Sequence, residues 1–108
     1  MEEKRYKDIE AHKLSEADEN ERNRYVLVDV RRDEEYEAGH IPGARHIPHD
    51  QMESRAGELE PYKDQDILLI CRSGRRSVFA ANVLADRGFQ RLYNLKGGML
   101  EWTGPMEK

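Results

Sequence analysis

The sequence of 108 residues contains a single cysteine. One thiol cannot form an internal disulfide, so the chain does not depend on an oxidising compartment for its stability. No apolar run approaches the roughly 20 residues that a membrane-spanning helix requires, and no apolar h-region follows the charged start at 1–5. These absences predict a cytoplasmic protein that has no secretory leader and does not bind membranes.

A large charge of one sign is also missing, because 18 basic residues face 22 acidic ones for a net charge of −4. So small a balance does not indicate nucleic acid as a partner. Hydrophobic and charged residues each make up 37% of the chain, and the apolar residues cluster in runs, which argues against disorder. The length predicts one domain over 1–108, with a core at 5–103 and a short tail at 104–108.

Apolar runs predict buried strands at 25–30, 66–70 and 90–95, with shorter strands at 5–9 and 44–47. Between them, composition and helix-stop residues predict helices at 10–22, 33–38, 50–59 and 78–87. Strands that alternate with helices indicate an α/β fold with a mostly parallel central sheet. In such sheets ligands bind beyond the carboxyl ends of the strands.

The most informative stretch runs from 68 to 77, where an apolar strand ends on the single cysteine, Cys71. The loop that follows consists of Arg72, Ser73, Gly74, Arg75, Arg76 and Ser77. Neighbouring cations and a helix N-terminus both favour a thiolate over a thiol. Gly74 permits a positive φ, which lets backbone N–H groups turn inward as an anion-binding nest. The stretch therefore predicts a nucleophilic cysteine in an anion-binding loop.

A second interpretation of Cys71 is structural, since a lone cysteine at the end of a buried strand is usually a small core side chain. The context favours the reactive interpretation, because a structural cysteine gains nothing from three nearby arginines. Within the same loop, Ser77 is a candidate hydroxyl donor.

Several short segments occur in an order that resembles a known family. They are Asp29-Val30-Arg31, Glu35-Tyr36, Gly39-His40-Ile41-Pro42-Gly43-Ala44, the Cys71–Ser77 loop, Leu95-Lys96-Gly97-Gly98 and Trp102. Together they resemble the successive signatures of a single-domain rhodanese, over the stretch from 25 to 102. The Gly39–Ala44 string and the cysteine loop are the most specific of these segments.

The resemblance implies a parallel five-stranded sheet flanked by helices and an activity in sulfane-sulfur transfer, with no cofactor. It implies that Cys71 attacks a donor such as thiosulfate and becomes a persulfide. The outer sulfur then passes to cyanide, a thiol or a thioredoxin-like acceptor. By the same match, the backbone N–H groups of 72–77 cradle the persulfide. The side chains of Arg72 and Arg75 are the candidates for binding the donor's oxyanion.

Residues outside the loop are expected to support it. Asp29, Arg31 and Glu35 form a candidate network of loop-stabilising ion pairs. Arg76 is expected to pair with Asp29 at the end of the adjacent strand, and both a structural and a catalytic role remain open for this arginine.

Other polar and aromatic residues have simpler expectations. His40 is expected to hydrogen-bond the turn at 42–43, with a role as general base as the sharper alternative. Trp102 and Phe79 are expected in the core. The remaining histidines show no metal-ligand spacing, and they are His12, His46 and His49.

Two other functions use related loops. Cysteine-based phosphatases and arsenate reductases place five residues between the cysteine and the arginine, whereas four separate Cys71 from Arg76. The shorter loop suits one added sulfur better than a tetrahedral phosphate. A persulfide carrier loaded by a protein donor is the other alternative. With no second cysteine, the sulfur acceptor must be external in either case.

Overall fold

The computed structural model describes residues 4–108 as a five-stranded parallel sheet with helices on both faces. The strands are β1 (Lys7–Glu10), β2 (Val26–Asp29), β3 (Arg45–His46), β4 (Ile67–Ile70) and β5 (Leu92–Lys96). Their spatial order is β1-β5-β4-β2-β3, and every pairing is parallel. The expected α/β class and the five-stranded parallel sheet are confirmed. β4 is the central strand, and Cys71 follows its last residue.

The α-helices are α1 (Ala11–Glu16), α2 (Glu19–Arg22), α3 (Asp33–Ala38), α4 (Met52–Arg55) and α5 (Arg76–Asp86). Three 3-10 segments lie at His49–Gln51, Ala56–Tyr62 and Gly98–Glu101. The prediction of one helix over 10–22 is wrong, because the helix stops at Glu16 and a second begins at Glu19. The Asp18 side chain accepts a hydrogen bond from the Glu21 N–H at 2.8 Å, and this cap starts the second helix.

The core lies on both faces of the sheet, and alternate residues of β4 contribute to each side. Ile67, Leu69 and Cys71 belong to the cluster that contains the buried face of α5. Leu68 and Ile70 belong to the opposite cluster, which includes residues of α1 and the side chain of Trp102. Each fully buried leucine or isoleucine contributes about 1.5–3 kcal/mol of hydrophobic stabilisation. The alternation places the sulfur of Cys71 in the α5 layer.

Residues 104–108, expected to be a tail, pack against the body of the structure. The indole Nε1 of Trp102 donates to the carbonyl of Pro105 at 2.9 Å. His40 and Glu107 exchange two backbone N–H···O bonds at 2.9 and 2.8 Å. Within the described residues, no helix is long and apolar enough to cross a membrane.

Candidate active site

Cys71 lies at the carboxyl end of the central strand, which is the edge where parallel sheets bind ligands. The residue is fully buried. The backbone N–H of Gly74 donates to its Sγ at 2.8 Å. Gly74 has φ +96°, a conformation that glycine adopts without a steric penalty. The N–H of Gly74 therefore reaches the sulfur because the loop turns sharply there, just before α5 begins at Arg76.

A buried polar chain continues from the sulfur to the edge strand. The hydroxyl Oγ of Ser77 lies 3.4 Å from the Cys71 Sγ, and the same hydroxyl donates to Oδ1 of Asn94. The Nδ2 of Asn94 donates in turn to a carboxylate oxygen of Asp8 at 2.9 Å. Burial alone would raise the pKa of Asp8, but hydrogen bonds from Asn94 and Lys4 outweigh it and lower that pKa. The chain links the thiol to a carboxylate on β1.

The base of the loop rests on the segment after β5. The N–H groups of Met99 and Leu100 donate to the carbonyls of Cys71 and Arg72 at 2.9 and 3.0 Å. Gly98 has φ +58°, and a Cβ there would lie 2.5 Å from both of those carbonyl oxygens. Only glycine leaves room for this contact, so Gly98 lets the loop sit on the backbone below it.

Arg76 is held by Glu35 from the other side of the loop. Its terminal nitrogens Nη1 and Nη2 donate to the two carboxylate oxygens of Glu35 at 2.8 and 3.0 Å. Glu35 also accepts from the backbone N–H of Arg32 at 3.0 Å. Hydrogen bonding to Arg76, against the opposing effect of burial, lowers the pKa of Glu35 to about 2. The same hydrogen bonds raise the pKa of Arg76.

A family model described as the rhodanese-like domain matches residues 10–105. The chain belongs to the rhodanese-like family. The resemblance noted in the sequence is thereby confirmed.

Two curated relatives and one solved structure illustrate the similarity. "Putative sulfurtransferase YtwF" of Bacillus subtilis is 39% identical over 98 residues, which cover 91% of each chain. "Putative sulfur carrier protein YrkF" of the same organism is 47% identical over 81 residues, or 75% of this chain. Those residues span only 43% of the length of YrkF. A rhodanese-related protein from Thermoplasma volcanium superimposes with a TM-score of 0.80, 27% identity and coverage of 94% and 98%.

The predicted pairing of Arg76 with Asp29 is wrong for this rhodanese-like domain. Asp29 is fully buried, and its carboxylate accepts from Nε and Nη2 of Arg31, with the shortest contact at 2.8 Å. Nη2 of Arg31 also donates to the carbonyl of Gly39 at 2.7 Å. The residues predicted to form one network around the loop therefore form two separate ion pairs, Asp29 with Arg31 and Glu35 with Arg76. Glu35 reaches Arg76 because α3 carries it to the loop.

The outer residues of the loop lie at the surface. Arg72, Ser73 and Arg75 are exposed. Arg72 borders two shallow grooves of about 540 and 360 Å³, and Glu35 lines both of them. Leu100 and Met106 line the smaller groove, and both are more than half exposed. The surface beside the loop therefore carries charges of both signs, and one of its grooves has apolar walls.

Two expectations for aromatic residues are corrected. His40 does not bond the 42–43 turn, since its Nδ1 lies 3.0 Å from the carbonyl of Tyr36 and its ring stacks on the Tyr36 ring. Phe79 is 52% exposed rather than in the core, because the first turn of α5 directs it outward against His49. Trp102 is buried, as expected.

The sequence did not single out Asn94 or Asp8 as members of the site, and it marked Gly98 only as part of the Leu95–Gly98 segment of the resemblance. A polar residue between apolar ones in the predicted strand at 90–95 was the available signal for Asn94, because a buried amide needs partners. Asp8 carries no such signal, since only strand order brings it close. Within residues 4–108, no group of three potential ligands is arranged to hold a metal ion.

Proposed function

We propose that this rhodanese-like domain transfers sulfane sulfur through a persulfide on Cys71. The observation that carries the proposal is the 2.8 Å hydrogen bond from the Gly74 N–H to a buried sulfur at the carboxyl end of the sheet. A hydrogen-bond donor held in place at a site that excludes water stabilises negative charge far better than solvent does. Sulfur transfer requires this stabilisation, because the negative charge moves onto the cysteine sulfur and off it during the reaction.

Loading proceeds by attack of the Cys71 thiolate on the outer sulfur of thiosulfate. The S–S bond of the donor breaks, sulfite leaves with the electron pair, and Cys71 carries a persulfide anion. Backbone N–H groups of the loop at 72–77 hold the outer sulfur. The exposed guanidinium groups of Arg72 and Arg75 bind the donor's sulfonate, for which a planar fork is well matched.

In unloading, Cys71 is the leaving group instead of the nucleophile. An acceptor such as cyanide or a thiolate attacks the outer sulfur, the S–S bond breaks, and its electron pair returns to the Cys71 Sγ. The chain has one cysteine, so the acceptor is a separate molecule: cyanide, a small thiol, a thioredoxin-like protein or another partner. We place this activity in one domain over 1–108, in the cytoplasm, where thiols stay reduced.

A sulfur carrier loaded by a partner enzyme is the second candidate. The name of YrkF favours it, since that relative is 47% identical over most of this chain. A phosphatase is disfavoured by geometry. Arg76 is the arginine that would have to bind phosphate, and both of its terminal nitrogens already donate hydrogen bonds to Glu35.

Intact-mass spectrometry after incubation with thiosulfate tests the proposal. We expect one added sulfur atom, its loss on addition of cyanide with formation of thiocyanate, and no adduct on Cys71→Ser. No adduct together with hydrolysis of an aryl phosphate would overturn the proposal in favour of a phosphatase. No adduct and no hydrolysis would favour the carrier, which a partner's persulfide would then load.

A further inference from the structure

A continuous hydrogen-bonded chain runs from the Cys71 sulfur to a carboxylate on the edge strand β1. Its members are Cys71, Ser77, Asn94 and Asp8, with contacts of 3.4 Å at the sulfur and 2.9 Å at the carboxylate. Cys71 and Ser77 are fully buried, and Asn94 is 4% exposed. Asp8 lies directly opposite Asn94 in the β1–β5 ladder, so the sheet register holds the two together.

The chemistry of the end groups sets the direction of every bond in this chain. An ionised carboxylate only accepts, so Asn94 must turn its NH₂ group toward Asp8. Its amide oxygen therefore faces Ser77, and an amide oxygen also only accepts. Ser77 has one hydroxyl proton and gives it to Asn94. Toward the sulfur, Ser77 can present only a lone pair.

That lone pair favours the protonated thiol of Cys71 over the thiolate. A Cys71 thiol can donate its S–H to the Ser77 oxygen, whereas a thiolate at the same place meets a lone pair. For Ser77 to donate to the thiolate instead, the buried Asn94 oxygen would have to lose the Ser77 hydroxyl, its one hydrogen-bond donor within residues 4–108, which is unfavourable. A persulfide avoids this repulsion between the Ser77 lone pair and negative charge, since its charge lies on the outer sulfur, one bond farther from Ser77.

We infer that Asp8 and Asn94 are positioning residues that fix the direction of the Ser77 hydroxyl and so oppose part of the stabilisation that the Gly74 N–H gives to negative charge on the Cys71 Sγ. The unloaded cysteine therefore reacts with electrophiles more slowly than the Gly74 N–H alone would allow. A loaded persulfide is retained, because Sγ must take the electron pair when the outer sulfur leaves. The inference rests on the proposed function for this loaded state alone; the unloaded thiol is a separate test.

The Gly74 N–H and the cations of the loop act on the sulfur alongside this chain. The cations are Arg72, Arg75 and Arg76, and the Asp29–Arg31 pair lies at the end of β2. None of them changes when Asp8 is substituted. A comparison at Asp8 therefore isolates the hydrogen-bonded chain from the general cationic field, apart from the charge of Asp8 itself.

The experiment is a double-mutant cycle on the rate of iodoacetamide alkylation of the unloaded protein at neutral pH. An asparagine at position 8 can donate or accept, so Asp8→Asn frees Asn94 to turn over and lets Ser77 donate to the thiolate. We expect Asp8→Asn to speed alkylation about tenfold in the Ser77 protein. In the Ser77→Ala background we expect a change of less than about twofold, because the relay is absent.

An equal acceleration in both backgrounds would overturn the inference, since it would mean that Asp8 acts only through its charge. No acceleration in the Ser77 protein would also overturn it. Asp86→Asn, at an exposed aspartate paired with Arg5, is the matched control and should leave the rate unchanged. Asp8→Ser is a second variant with the same expectation, and thermal unfolding confirms that each variant is folded.

A second readout addresses the loaded state. After loading, Asp8→Asn should pass its sulfur to cyanide several-fold faster than the unsubstituted protein, and the gain should vanish in the Ser77→Ala background. Unchanged release with faster alkylation would overturn the retention role. Failure of thiosulfate to load any variant would contradict the proposed function while leaving the alkylation cycle to decide the role of Asp8.

Discussion

Replacement of Glu35 by glutamine tests how strongly the ion pair with Arg76 stabilises the fold. The carboxylate makes two hydrogen bonds to Arg76 and one to the Arg32 N–H, and these lower its pKa from 4.5 to about 2. A shift of this size corresponds to about 3 kcal/mol if solvent is excluded. Because the Glu35 side chain keeps 26% of its exposure, screening reduces the expected loss to about 1–2 kcal/mol.

The sign of the pH dependence follows from the direction of the pKa shift. The folded pKa of Glu35 is depressed, so its stabilisation is complete above the unfolded value of 4.5 and is lost as the pH falls toward about 2. The free energy of unfolding should therefore differ most between the native protein and Glu35→Gln near neutral pH. By about pH 3 that difference should shrink to well under half.

Urea unfolding at a series of pH values measures the difference directly. Glu34→Gln is the matched control, since Glu34 is an exposed neighbour on the same helix turn and should change stability by less than about 0.5 kcal/mol. A difference between Glu35→Gln and the native protein that stays constant from neutral pH to about pH 3 would refute the ion-pair account.

Three further changes probe the loop and its supports. Gly98→Ala should cost about 3 kcal/mol in urea unfolding, because its Cβ would meet two backbone oxygens at 2.5 Å, whereas Gly57→Ala, with open space around it, should cost little. Asp29→Asn should cost about 3 kcal/mol in the same assay, since it leaves Arg31 buried without its counter-charge. Arg75→Gln should raise the KM for thiosulfate about fivefold in steady-state assays with kcat little changed, and an unchanged KM would exclude Arg75 from donor binding.

Local pattern sufficed for most of the fold. The apolar runs before Asp29 and Cys71 predicted strands buried on both faces, because parallel strands between two helical layers have no polar side. The helix at Asp33–Ala38 appears as predicted, since its acidic first turn and the following Gly39 are local signals. The helix over 10–22 failed for an equally local reason, the competing cap at Asp18.

The partners of charged and polar side chains were harder to predict. Arg76 pairs with Glu35, 41 positions away in the chain, rather than with Asp29 at the end of the adjacent strand. The choice depends on where α3 packs and on which side chain faces the loop, and hydropathy encodes neither. Phe79 was misplaced for a similar reason, because an apolar residue at the first turn of a helix can face either side.

The sequence by itself determined the chemical parts of this protein: one cysteine at a strand end, a glycine able to turn the loop, and cations around them. These parts lie within seven consecutive residues, where spacing alone dictates proximity. Only the tertiary structure decided what surrounds the sulfur. Asn94 and Asp8 meet although 86 positions separate Asp8 from its partner, because β1 and β5 are neighbours in the sheet. Strand order is a property of the whole chain, so no local pattern could have predicted that the Asp8 carboxylate is linked to the thiol through Asn94 and Ser77.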